Sequence, residues 1–153
     1  MPNHVINILK INTKNPKKVV EELGEYMDFE KIIPMPDDIF RGNLGQKERE
    51  QYGERNWYDW SIKNWGTKWN AYDQNGPFEG ENYVEYIFST AWSCPLHVYE
   101  ELAKKYNFEV KYADEDLGSN CGRIKANNGK IILHKKASDY KDSYAFASRV
   151  WEW

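Results

Sequence analysis

The chain has 153 residues, 21 basic and 24 acidic, for a formal net charge of −3. That balance excludes a general electrostatic grip on DNA or RNA and leaves room only for a local basic patch. The length suits one domain with its own core, spanning 1–153, and the 16% of aromatic residues implies a core built from rings as much as from aliphatic side chains.

"HVINILKI", His4 to Ile11, is β-branched and nearly all apolar, with Ile6 and Ile8 on one face and Val5, Leu9 and Ile11 on the other. It predicts a central strand. "NPKKVVEELGEYM" follows, with Asn15 as N-cap, Pro16 at the first helical position and Val19, Val20, Leu23 and Met27 on one stripe. Phe29 to Ile33 reads as a second short strand, ended by the prolines of "PMPDD".

Residues 37–80 are punctuated by glycine and read as an insertion, with helices predicted from Gln46 into Arg49 and from Asn56 to Asn64. After it come a strand in "NYVEYIFST", a helix opened by "SCP" and a strand from Phe108 to Tyr112. Cys121 to Ala126 and Lys130 to Leu133 form a hairpin around "NNG". "DYKDSYAFASRVWEW" lines up Tyr140, Tyr144, Ala147 and Trp151 for a closing helix. Two strand–helix–strand units, at 4–33 and 83–112, predict an α+β fold: a ferredoxin-like split βαβ antiparallel sheet with an aromatic-rich helical insertion and a C-terminal helix.

"NWYDWSIKNWGTKWNA", Asn56 to Ala71, holds four of the seven tryptophans. On a helical wheel Trp57, Trp60 and Trp65 fall within about 140° of arc, which assigns Trp57 and Trp60 to the core. Gly66 then offers a left-handed C-terminal residue. Around that break Trp65 and Trp69, beside Lys68 and Asn70, are the rings expected to meet a partner's side chains or a base.

"MPNHVINILKI", "IIPMP", "NWYDWSIKNWGTKWNA" and "NCG", in that order, resemble the YubB ferredoxin-like family of phage and plasmid proteins, from Met1 to about Leu133. The sequence departs from that pattern at His4, where an aromatic is expected. The resemblance implies a ferredoxin-like topology and an origin in mobile elements, and carries no catalytic residues. The topology's name implies no iron–sulfur cluster, which needs four thiolates where this chain has two cysteines.

Other constellations are sparse. Cys94, Cys121, His4, His97 and His134 lack metal-ligand spacing, so neither a metal nor a cofactor is expected. The lone basic locality joins Arg123, Lys125 and Lys130 to "HKK", His134 to Lys136, and suits a phosphate group. The cysteine usage and the lack of a leader-like or membrane-spanning stretch lead to an expectation of the host cytoplasm.

The leading expectation is therefore a non-enzymatic phage or mobile-element accessory protein that binds and inhibits a host protein, with a counter-defence role as the specific candidate. An alternative is sequestration of a nucleotide signal, the base on Trp65, Trp69 or Tyr72 and the phosphate on Lys68 or Arg123. A third is an acid–base enzyme acting on a nucleotide or RNA through Asp114, Glu115 or His134.

Overall fold

The computed structural model of the protein describes residues 3–152. β1 (His4–Asn12) buries Val5, Leu9 and Ile11 on one side. It leads into α1 (Pro16–Leu23), where the Asn15 side chain accepts from the Lys18 amide at 3.3 Å and Pro16 occupies the first turn. Phe29 onward is not a strand: Asp28 Oδ1 accepts from the Glu30 amide at 3.0 Å and caps a single helical turn, α2 (Phe29–Ile32). The cap outweighs the apolar run's strand tendency, and Phe29 is delivered into the core. α3 (Gln46–Tyr52) and α4 (Trp57–Asn64) follow, the second capped by Asn56, which accepts from the Asp59 amide at 2.9 Å.

The remaining elements are β2 (Tyr72–Glu79), β3 (Tyr83–Ala91), α5 (Leu96–Leu102), β4 (Asn107–Asp114), β5 (Cys121–Asn127), β6 (Lys130–Lys136) and α6 (Ser143–Trp151). The six strands form one sheet in the order β2-β3-β1-β4-β5-β6, every neighbouring pair antiparallel. β1-α1-β2 encloses β3, and β3-α5-β4 encloses β1, which is the expected split βαβ arrangement. One strand is reassigned: the second is β2, inside the stretch read as an insertion. β5 and β6 extend the sheet through a tight turn with Asn128 at φ 53° and Gly129 at φ 85°.

One face of the sheet carries Leu9, Tyr86, Phe88, Val110 and Phe108, buried in a cluster with residues of α1, α2 and α5. Trp65 joins that layer, so the helical insertion thickens the first face. The second face is partly covered by α6, whose Phe146, Ala147 and Val150 cluster with Ala113 and Cys121, with Ile6 and Ile8 packed against them. The expected stripe is corrected here, because Tyr144 is exposed and Phe146 packs inward. Tyr140 precedes the helix, which starts only at Ser143, so helical phasing does not extend back to it. Lys10 and its cross-strand neighbours remain in an open groove beside α6.

Candidate functional site

The tryptophan window divides differently from its helical wheel. Trp65 is 3% exposed: its Nε1 donates to the Ile33 carbonyl at 2.9 Å, and its ring meets Phe29 and Trp60 edge-on at 5.8 and 5.1 Å. A base cannot stack on it. Gly66, at φ 84°, ends the helix as expected and its carbonyl accepts from Ser93 Oγ at 2.6 Å. Trp57, expected in the core, is half-buried, with Nε1 donating to the Gly42 carbonyl. Asn70 is spent on structure: Oδ1 accepts from the Phe29 amide at 2.9 Å and Nδ2 donates to Asp28 at 2.8 Å.

Lys68, Trp69 and Tyr72 do come together at the surface. Lys68 Nζ lies 4.6 Å from the Trp69 ring centre and 4.4 Å from that of Trp92, a cation held between two exposed indoles. Rings continue in both directions. Trp92 meets Tyr58 at 5.9 Å, Tyr58 meets Trp57 at 5.8 Å, and the Arg49 guanidinium lies 5.7 Å over Tyr58. On the other side Trp69 meets Tyr72, whose hydroxyl is hydrogen-bonded to His4 Nδ1. Burial, then Asp73 and Glu115, raise the Tyr72 phenol's pKa, so it stays neutral as a hydrogen-bond partner.

Trp92 is the member that sequence reasoning missed. It sits just past β3 at φ 73°, a left-handed conformation that costs a bulky residue on the order of 1–3 kcal/mol. Its amide donates to the Asn3 carbonyl at 2.9 Å, and its own carbonyl accepts from Asn120 at 2.7 Å. These bonds turn the indole out beside Lys68. The available signal was a tryptophan directly between a strand and the helix-opening "SCP".

Arg123 lies elsewhere. It shares the second sheet face with Tyr72, but β2 and β5 are four strand spacings apart, roughly 19 Å. A single ligand with its base on Tyr72 and its phosphate on Arg123 would have to cross that span. The acid–base trio is likewise dispersed. Glu115 accepts from the His4 amide, Asp114 accepts from the Asp116 amide, and His134 is bonded to the Tyr112 hydroxyl two strands away from β4's edge with β1. Burial pushes the Asp114 carboxyl up and pulls the His134 imidazole down. Among the described residues no three His, Cys, Asp or Glu side chains gather as metal ligands.

A family described as the ferredoxin-like domain in Api92-like protein matches residues 64–149, more than half of the chain. No curated protein and no solved structure matches it. Among the described residues, no helix is long and apolar enough to cross a membrane.

Proposed function

The chain belongs to the family of ferredoxin-like domains in Api92-like proteins, and from that premise we propose that it is a non-enzymatic binding protein whose aromatic ribbon engages and blocks a partner protein. The observation that carries this reading is Lys68 between Trp69 and Trp92, 36% and 42% exposed. Tryptophan, tyrosine and arginine are the side chains that dominate protein interfaces, and here Trp57, Tyr58, Trp69, Tyr72, Trp92 and Arg49 form one run. Two cations among the rings favour a partner surface that offers carboxylates around an apolar depression.

The resemblance to YubB-type phage and plasmid proteins extends the proposal: a protein of a mobile element acting in the host cytoplasm on a host factor, with a component of host defence as the target. The test compares tagged wild type with the Trp69→Ala/Trp92→Ala protein. Wild type should retain one stoichiometric partner from host lysate and bind it when both are purified, and the double variant should lose it while keeping its fold. Failure to recover any specific partner, together with unchanged host defence on expression, sinks the reading.

A further inference from the structure

On the second face of the sheet, Lys111, Arg123 and Lys135 stand directly opposite one another across β4, β5 and β6. Like charges in register destabilise a sheet. The next rung shows how such a face is ordinarily neutralised: Glu85, Lys10, Glu109 and Lys125 alternate in sign across β3, β1, β4 and β5. Glu109 accepts from both Arg123 and Lys125, at 2.9 and 3.3 Å, and is therefore already engaged. Among the described residues Lys111 and Lys135 have no ion-pair partner, and neither has Arg149, which reaches the same groove from α6.

Two further atoms point to the same place. Among the described residues, Arg123 Nε and Tyr140 Oη are the buried side-chain polar atoms with no hydrogen-bond partner, and both residues line this groove. A buried donor without an acceptor costs free energy, which a ligand oxygen would recover once the side chain turns its covered donor toward the groove. The groove encloses about 710 Å³, within the range of small-molecule sites, and Ile8, Leu133, Phe146 and Val150 supply an apolar wall.

We propose that this groove binds a small phosphorylated molecule of nucleoside monophosphate size, its phosphate on the Lys111–Arg123–Lys135 rung and its body against α6. A multivalent oxyanion matches three adjacent cations, and apolar side chains next to them suit a ring. Glu85, Glu109 and Glu152 also line the groove; Glu109 is bonded to Arg123 and Lys125, while Glu85 and Glu152 stand away from the cation rung, so a nucleic-acid strand running through the groove would meet more carboxylates than a single phosphate on Lys111 and Lys135.

Titration with AMP, inorganic phosphate and adenosine, followed by thermal shift and calorimetry, tests the site. AMP should raise the melting temperature in a concentration-dependent way, phosphate less, and adenosine not at all. Lys111→Glu should weaken AMP roughly tenfold or more while relieving the cation rung and raising the ligand-free melting temperature, so lost binding cannot be mistaken for lost folding. Tyr140→Phe, which removes one hydroxyl, should also weaken AMP, and Trp69→Ala/Trp92→Ala should not. The proposal is overturned if AMP gives no shift, if both groove variants bind AMP like wild type, or if a single-stranded oligonucleotide binds more tightly than AMP.

Discussion

The Tyr99 hydroxyl donates to Asn7 Oδ1 at 2.7 Å in the centre of the main core, where both residues are wholly buried. Asn7 Nδ2 donates in turn to Thr90 Oγ1 at 2.9 Å and to the Val5 carbonyl, and Thr90 Oγ1 donates to the Ser93 carbonyl. The network ties α5 to β1 and to the end of β3, beside the turn that presents Trp92. Tyr99→Phe leaves an Asn7 acceptor unpaired and should cost about 1–3 kcal/mol, whereas Asn7→Leu strands the Tyr99 hydroxyl as well. Urea unfolding of both singles and the double should show strong non-additivity, and additive losses would mean that the pair is not coupled.

Two of the window's tryptophans, Trp65 and Trp69, should separate by stability. Trp65→Ala opens the core between Phe29 and Trp60 and is expected to cost about 3–5 kcal/mol. Trp69→Ala, at the surface, should stay within about 0.5 kcal/mol. Chemical denaturation midpoints check both, and a similar cost at the two positions would contradict the division.

Alkaline pH should unfold the protein through groups that burial keeps protonated. Burial pushes the Cys94 thiol up to about 12 from 9.0 and the Tyr86 phenol up to about 12 from 10.0. Each has a folded pKa above its unfolded value, so its stabilisation is complete below pH 9 and is lost as pH rises toward 12. Urea midpoints should fall steadily across that window. Near pH 8 the native protein should resist thiol alkylation at Cys94 and react only once unfolded.

Gly66 should not tolerate a side chain. At φ 84° an L-residue is strained, and an added Cβ would lie 3.2 Å from the Leu96 amide nitrogen, so neither turn nor neighbour can yield freely. Gly66→Ala should cost at least about 1–2 kcal/mol, read as a lower melting temperature. It should also weaken partner binding, because this turn sets Lys68 and Trp69 beside Trp92.

Much of the architecture was legible locally. Asn15-Pro16, Asn56, the alternation of β1 and Asn128-Gly129 each encode their structure within a few residues, through caps, periodicity and turn chemistry that need no distant partner. β2 was not legible, because "YDQNGPFE" lacks alternation, carries Pro77 and keeps its place at the sheet edge through two register shifts against β3. Phe29 to Ile32 misled for the converse reason: one Asp28 cap turned an apolar run into a helical turn.

By itself, then, the sequence determined the fold class, the starts of α1, α3 and α4 and the presence of an aromatic window. Tertiary structure alone decided that Trp65 is core and Trp92 surface, since ring direction past Gly66 and at the end of β3 depends on contacts with Ile33, Asn3 and Asn120. It also decided the cation rung, because Lys111, Arg123 and Lys135 become neighbours only when three strands pair in register.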